Sequence, residues 1–407
     1  MARRSIAVVT GSRADYGIYR PVLKAIQAEP DLDLRLMVCG MHLSATFGDT
    51  VERIHADGFP ITERVETLLA SDTPEAIAKS ISLGVAGFSQ CFGRERPDIL
   101  LLLGDRYEMF SAAIAALPFA LPIAHIHGGE LTEGLIDDPI RHSLTKLSHL
   151  HLVSTRTYRN RVVQMGERPD RVFVTGAPGL DTIRGHQPTN AIELAARLGI
   201  ALQPRPLLVT FHPVTLEYGD TARQIGELLT ALDRLRHPTL FTFPNADTSG
   251  RTVMGAIERY VAEHPEAMAV RDLGSQDYFS MMTHAAAMVG NSSSGIIEAP
   301  SFGLPVVNIG TRQRGRVRAR NVIDVAVTSG EIAAGIAQAL EPGFRTSLAG
   351  LENPYGDGHA AGRIVRVLRD APLGRGLIEK RFHDLQGSDL FPSGDPRGTT
   401  QAMDDMT

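Results

Sequence analysis

The sequence is poor in cysteine, has no excess of positive charge and does not open on a long apolar segment. Cys39 and Cys91 are its two cysteines in 407 residues; neither has the spacing of a metal site, and two cannot build a disulfide framework. We therefore expect a protein of the reducing cytoplasm. The net charge of −5 argues against general binding to nucleic acid, which needs a basic surface. The apolar run before Gly11 is too short for a signal-peptide core or a membrane span.

The distribution of apolar residues predicts an α/β protein. Short apolar runs alternate with amphipathic stretches, as in βαβ units that form parallel sheets, and the run DILLLL at 98–103 is typical of a strand buried on both faces. Because single cores rarely grow beyond about 250–300 residues, we expect two domains. We place them at 1–178 and 179–371, with a linker at 176–204 and a disordered tail at 372–407.

In the first half, polar residues follow the predicted strands, at the edge where open α/β sheets bind ligands. Arg13 lies in the loop 11–17. It either donates bidentate hydrogen bonds to a phosphate or is a solvated arginine of an ordinary turn. Asp105 comes directly after the DILLLL strand, where an unpaired buried acid is costly. It is either a helix cap or a partner of Arg106, or it is a catalytic carboxylate.

A group of histidines and acids follows the next predicted strand. His125 and His127 are two residues apart, which predicts that they share one face of an extended segment. Asp138 precedes Pro139 and fits a helix N-cap followed by proline. We interpret the group as acid–base machinery rather than a zinc site, since no closed tetrahedral set of ligands is evident.

In the second half, the segment 290–298 is a small, hydroxyl-rich turn between a strand and a helix. We expect a serine N-cap at this turn. Such a turn also presents backbone N–H groups to an anion, so we predict in addition that it binds a pyrophosphate and that Glu298 accepts hydrogen bonds from ribose. It is neither a P-loop nor a dinucleotide fingerprint. His212 follows another strand and is either structural or a phosphate donor. Five arginines at 312–320 form either a solvated loop or a polyphosphate clamp.

Taken in order, these segments resemble the hydrolysing UDP-N-acetylglucosamine 2-epimerases of the sialic-acid and legionaminic-acid pathways. The resemblance implies a glycosyltransferase-B-like fold, with two Rossmann-like α/β domains and UDP in the interdomain cleft. It also implies cleavage of the anomeric C–O bond with inversion at C2, by elimination to a glycal and then hydration. The matching segments are GSRADYG (11–17), GDR (104–106), HIHGGE (125–130), IDDPIRH (136–142), FHPVT (211–215), GNSSSGIIE (290–298) and NIGTRQ (308–313).

The same resemblance implies roles for individual residues. His127 agrees with the bacterial members, because the animal members have glutamate at that position. We expect no metal, no nicotinamide or other cofactor, no nucleic-acid or membrane partner, and a homodimer or homotetramer. The positions that match catalytic residues are Asp105, His127 and Asp137, and those that match nucleotide contacts are Arg13, Gly17, Arg106, His212, Asn245, Ser292, Ser293, Glu298 and Arg312.

Three other functions stay open at this point. A non-hydrolysing 2-epimerase of the same fold would return the UDP-sugar, a glycosyltransferase would need an acceptor, and a silent binding module would tolerate loss of Asp105. The sugar is also open between N-acetylglucosamine and a 2,4-diacetamido-trideoxyhexose. The resemblance does not assign base or acid among the three catalytic candidates.

Overall fold

The computed structural model describes residues 3–44, 50–69, 71, 73–132, 136–243, 250–271 and 273–385. Its described strands form two sheets, of seven and six strands, and every pairing within them is parallel. The strands are β1 Arg4–Thr10, β2 Leu32–Cys39, β3 Ile61–Val65, β4 Ile99–Leu103, β5 Ile123–Ile126, β6 Leu150–Val153, β7 Val172–Val174, β8 Leu207–Thr210, β9 Thr239–Thr242, β10 Ala267–Val270, β11 Ala287–Gly290, β12 Val306–Ile309 and β13 Val322–Val325.

Helices connect most of the successive strands and cover both faces of each sheet, so the central strands are buried and consist of continuous apolar runs. They are α1 Arg13–Ala28, α2 Thr50–Ala56, α3 Pro74–Arg94, α4 Tyr107–Ala116, α5 Asp137–Leu147, α6 Arg156–Gln164, α7 Gly179–Arg184, α8 Ala191–Leu198, α9 Thr221–Leu235, α10 Gly250–Glu263, α11 Gly274–His284, α12 Ser293–Ile297, α13 Ser329–Leu340, α14 Pro342–Ser347, α15 Ala360–Asp370 and α16 Arg375–Ile378. No helix of the described part is long and apolar enough to cross a membrane.

Both sheets have the strand order of a Rossmann fold, which confirms the predicted fold class. The first sheet runs β3-β2-β1-β4-β5-β6-β7 and the second runs β10-β9-β8-β11-β12-β13. In each sheet the order reverses direction at one point, between β1 and β4 and between β8 and β11. A crevice opens at such a reversal, beyond the carboxyl ends of the strands. The polar segments found in the sequence follow these strands.

The domain bounds 1–178 and 179–371 stay a prediction, and the packing of α15 is one observation that bears on them. The apolar face of α15 packs into the core of the first sheet, where Ile364 and Leu368 are fully buried beside α1 and β1. Sequence periodicity predicts an amphipathic helix but not which sheet it covers. The expected linker 176–204 contains α7 and α8, and α16 lies within the range expected to be a disordered tail. Residues 386–407 lie outside the described residues.

Candidate active site between the two sheets

A cleft of about 670 Å³ separates the carboxyl edges of the two sheets. Arg13, Gly17 and Arg106 line it from the first half, while Ser294 and Glu298 line it from the second. Four of the predicted nucleotide contacts are therefore on its walls. Arg13 is the first residue of α1, whose N-cap Ser12 accepts a hydrogen bond from the backbone N–H of Asp15. The helix N-terminus and the arginine thus face the same space.

Arg106 lies in the cleft wall between two carboxylates. Its guanidinium donates to both oxygens of the buried Glu108, at 2.8 and 3.1 Å, and its Nε lies 3.8 Å from Asp15 Oδ2. The suggested pair between Asp105 and Arg106 is therefore wrong, because Glu108 takes the guanidinium instead. Burial raises the pKa of Asp15 to about 6, although Arg106 opposes that shift.

Arg141 holds the first-half cluster together, and sequence reasoning did not select it. One Nη donates to the carboxylate of Asp105, and the other donates to the backbone oxygen of His127 at 2.9 Å. Thr132 Oγ1 also donates to Asp105, at 3.3 Å. Arg141 is buried on α5, one helical turn after Asp137. An arginine four residues past an acid at a helix start could have drawn attention to Arg141, but that spacing suggests a pair with Asp137 and not the observed pair with Asp105.

His127 and His125 have different surroundings. His125 is in β5 and its Nε2 donates to the Gly104 oxygen at 2.7 Å, whereas His127 has left the strand with a φ of 66°. The expectation that both share one face of an extended segment is wrong, because the chain turns at His127. Nδ1 of His127 lies 4.0 Å from Glu130 Oε1, and Nε2 is buried with no hydrogen-bond partner among the described residues. Burial lowers the pKa of both imidazoles, that of His125 to about 3.

Asp137 begins α5 beside this cluster. Its pKa is raised to about 6, first by burial and then by the negative charge of Asp105. Asp138 is not the N-cap that the sequence suggested, because the helix begins at Asp137, two residues before Pro139, and Ile136 is the cap. Pro139 is tolerated there because the N–H groups of a first helical turn have no partner within the helix. Asp138 Oδ1 instead accepts a hydrogen bond from the backbone N–H of Thr132 at 2.7 Å.

The hydroxyl-rich turn of the second half follows β11. Gly290 has a φ of 134°, and a Cβ at this position would lie 1.9 Å from the Thr210 oxygen, so only glycine permits this approach to β8. The side chain of Asn291 then accepts from the N–H of His212 at 2.7 Å and donates to its oxygen at 2.8 Å. His212 is thereby fixed beside the turn, and burial lowers the pKa of its imidazole to about 3.

The short helix α12 carries the remaining predicted contacts of this turn. Ser292 is its N-cap and accepts from the N–H of Ser294 at 3.3 Å, while Ser293 is the first helical residue. Glu298 lies just past the last helical residue rather than inside the helix, as its C-cap. Its Oε2 is buried and lacks a hydrogen-bond partner among the described residues, and burial raises the pKa of the carboxyl. Asn245 lies outside the described residues.

The arginine-rich segment is not a clamp of five charges. Arg316 lies 3.6 Å from Glu130, Arg318 pairs with Asp324 at 3.0 Å, and Arg320 donates to a backbone oxygen. These three arginines are therefore engaged by protein groups. Arg312 is engaged as well, since its Nη1 donates to the Asn291 oxygen at 3.1 Å, and this contact places it beside the turn. Within the described ranges, no three histidine, cysteine, aspartate or glutamate side chains are placed to hold a metal ion.

Comparison of the sequence with known proteins identifies relatives of high similarity. The chain is 39% identical to the UDP-N,N'-diacetylbacillosamine 2-epimerase (hydrolyzing) of Legionella pneumophila, over 93% of this chain and 98% of that protein. It is 42% identical to the GDP/UDP-N,N'-diacetylbacillosamine 2-epimerase (hydrolyzing) of Campylobacter jejuni, over 80% of this chain and 85% of that protein.

A solved structure agrees with the architecture. The UDP-GlcNAc 2-epimerase of Neisseria meningitidis, bound to UDP-GlcNAc, superposes with a TM-score of 0.77 at 19% identity, covering 89% of this chain and 99% of that one. At this identity the likeness shows the fold alone. The family model for UDP-N-acetylglucosamine 2-epimerase matches residues 24–369. That match spans most of the sequence, and we conclude that the chain belongs to the UDP-N-acetylglucosamine 2-epimerase family.

Proposed function

We propose that this protein is a hydrolysing 2-epimerase, which converts a UDP-linked 2-acetamido sugar into the free 2-epimer and UDP. The observation that carries the proposal is that two kinds of residue lie near one another where the two halves meet. An acid–histidine cluster of Asp105, His127 and Asp137 follows β4 and β5, and the turn at 290–298 follows β11 of the second sheet. The charge of Arg316 acts on His127 and Asp105 of the cluster and on Glu298 of the turn, so the two groups share one electrostatic environment. The first group suits proton transfer, and the second suits a leaving diphosphate.

The first step of the proposed reaction is an elimination. A base removes the proton on C2, the C1–O bond breaks with its electron pair going to UDP, and a C1=C2 double bond forms. Asp137, with a pKa near 6, can hold or release a proton close to neutral pH, and the buried Nε2 of His127 offers a second site. Hydration then adds a proton to C2 on the opposite face and water oxygen to C1.

The second half is suited to holding UDP. The N–H groups at the start of α12 and the side chain of Arg312 lie at the turn where a diphosphate would bind, and the imidazole of His212 is close enough for the charge of Arg312 to lower its pKa beyond the effect of burial. Glu298, with an unpartnered buried oxygen, is the group we assign to the ribose hydroxyls. Arg13, Gly17 and Arg106 would complete the site from the first half, and closure of the cleft would exclude water from the elimination.

For the sugar we propose a UDP-linked 2,4-diacetamido-trideoxyhexose, with UDP-N-acetylglucosamine as the second candidate. Support comes from the relatives at 39% and 42% identity, whose names give diacetylbacillosamine as the sugar. A free 2-epimer of this kind would serve nonulosonic acid synthesis, of the sialic or legionaminic type. We further propose a cytoplasmic homodimer or homotetramer, in keeping with Cys39 and Cys91 as free thiols.

We expect incubation with UDP-N,N'-diacetylbacillosamine in D2O to give UDP and a free sugar with inverted configuration at C2. Because the C2 proton is replaced from solvent in an elimination–hydration sequence, the product should carry deuterium at C2. Proton NMR follows both products. A parallel reaction with UDP-N-acetylglucosamine shows which of the two sugars is turned over faster. A product that keeps its UDP would make the enzyme a non-hydrolysing epimerase, and no reaction of either sugar would contradict the proposal.

We expect Arg312→Ala to weaken UDP binding by roughly 10- to 100-fold. A charge-assisted hydrogen bond contributes about 1.5–3 kcal/mol, and each 1.4 kcal/mol changes the dissociation constant tenfold. Calorimetric titration with UDP measures the change. Arg314→Ala is the matched control, since Arg314 lies two residues away on the same loop and is exposed. Equal affinities for wild type and Arg312→Ala would place the diphosphate elsewhere.

A further inference from the structure

A buried carboxylate beside His127 has no part in the reaction as described above. Glu130 is three residues after His127, and only 2% of its side chain is exposed. Its Oε1 accepts from the hydroxyl of Ser154 at 2.8 Å and lies 4.0 Å from Nδ1 of His127. A buried carboxylate is costly unless it is paired and hydrogen-bonded. The burial of the Glu130 carboxylate therefore needs a structural or functional explanation.

The charge that faces Glu130 comes from the other half of the molecule. Nη1 of Arg316 lies 3.6 Å from Glu130 Oε2, and the arginine side chain is 9% exposed. Nε of Arg316 is buried without a hydrogen-bond partner among the described residues. Buried ion pairs add little net stability, because desolvation of both charges offsets their attraction. Stability alone is therefore a weak reason for this pair.

The loop that carries Arg316 also touches the anion-binding turn. Arg312 on this loop donates to the Asn291 oxygen at 3.1 Å, directly after β11. At the other end, the N–H of Val317 donates to the hydroxyl of Tyr158 in the first half at 3.0 Å. One short segment thus contacts both the proposed diphosphate site and the surroundings of Glu130.

We infer that Glu130 is a positioning residue for the His127 imidazole, and that Arg316 links this positioning to the loop that carries Arg312. The inference rests on the proposed function, in which His127 faces the reacting sugar. A neutral imidazole has one N–H and one bare nitrogen. A carboxylate beside Nδ1 favours the proton there and leaves the lone pair on Nε2, the nitrogen that is buried without a partner.

Glu130 and Arg316 act on the pKa of His127 in opposite directions. After burial, which lowers the pKa of His127, the charged groups that act on it are Glu130 and Asp105, which raise it, and Arg141 and Arg316, which lower it. Glu130→Gln should therefore lower the pKa of His127, and Arg316→Gln should raise it. At these separations we expect shifts of about 1 pKa unit. General loosening of the site would not give shifts of opposite sign.

The test is ¹⁵N NMR of the full-length protein labelled in histidine, with His127→Asn used to assign the His127 signals. In the wild type at pH 7.5 we expect the tautomer protonated on Nδ1, and in Glu130→Gln a shift toward the Nε2–H tautomer. Saturating UDP should change the His127 signals of the wild type, and Arg316→Gln should lose that response while UDP still binds. The surface pair Arg94–Glu63, at 2.8 Å, supplies the matched controls Glu63→Gln and Arg94→Gln.

Turnover gives the second readout. Glu130→Gln should lower kcat by about 10- to 100-fold, below the about 10²–10⁴-fold of a group that transfers the proton itself. Its UDP affinity should stay within about threefold of the wild type, and the pH limb of kcat should move in opposite directions in the two variants. An unchanged tautomer in Glu130→Gln overturns the positioning role, and an unchanged UDP response in Arg316→Gln overturns the link. Failure of the wild type to release UDP would instead contradict the proposed function, since the tautomer measurement needs no substrate.

Discussion

Asp137→Asn is expected to reduce turnover by about 100- to 10,000-fold while leaving the UDP dissociation constant nearly unchanged. General acid–base catalysis contributes rate enhancements of that size, and an amide cannot accept or return the proton on C2. UDP affinity should survive because the proposed diphosphate contacts belong to the second half, at α12 and Arg312. The measurements are UDP release under saturating sugar and calorimetric titration with UDP.

The pKa of Asp137 makes this prediction more specific. Its value in the folded protein is about 6, against an ordinary value of 3.8, so the folded state binds this proton more tightly than the unfolded state. The stability gained is complete below pH 3.8 and is lost as the pH rises through 6. Above pH 6 the wild type keeps a poorly solvated carboxylate at this site. Asp137→Asn should therefore be no less stable than the wild type there.

Asp138→Asn is the matched control for this variant. The asparagine retains an oxygen that can accept from the N–H of Thr132, and Asp138 stands next in sequence to Asp137. Its turnover should stay within a few-fold of the wild type. Turnover in Asp137→Asn that equals this control would remove Asp137 from the chemistry. A variant that loses turnover and melting temperature together would point to structural damage instead.

The elements and their polar ends were predictable because the signals are local. The run of five buried aliphatic residues in β4 predicts a strand without any knowledge of its neighbours, and the small residues after β11 predict a turn in the same way. In parallel sheets the carboxyl ends of the strands lie at one edge, so the polar segments that follow them were expected to meet. The fold class and the family were therefore within reach of the sequence.

The pairings inside the site were not predictable, because they join distant parts of the chain. Asp105 meets Arg141, 36 residues away, and the sequence offered only its neighbour Arg106. Arg316 reaches Glu130 of the other half, where the local pattern suggested a clamp for phosphates. The sheet that α15 covers could not be predicted for the same reason, because the apolar face of an amphipathic helix does not specify which sheet it packs against. In each case a tertiary contact decided between two local interpretations.

Asp105 shows how one such contact joins structure to chemistry. Arg141 donates to its carboxylate and also to the backbone oxygen of His127, so the guanidinium ties the segment after β4 to the segment after β5. The negative charge of Asp105 in turn helps to raise the pKa of Asp137. Replacing Asp105 should therefore change the pKa of Asp137 and also remove the contribution of Asp105 itself to the reaction.

We expect Asp105→Asn to reduce turnover by about 100- to 10,000-fold. We also expect the limb of the kcat–pH profile that reflects ionisation of Asp137 to move toward lower pH. The limb moves because a neutral amide no longer opposes ionisation of Asp137. Measurements of kcat against pH on the residual activity test both effects. Asp98→Asn is the control from the opposite end of β4, where Asp98 accepts from the N–H and hydroxyl of Ser5 at 2.8 and 2.9 Å. That variant should lose some thermal stability and keep its turnover and pH limb. A normal rate in Asp105→Asn would leave this residue a structural anchor for Arg141, and a reduced rate with an unmoved limb would mean that Asp105 acts without setting the charge state of Asp137.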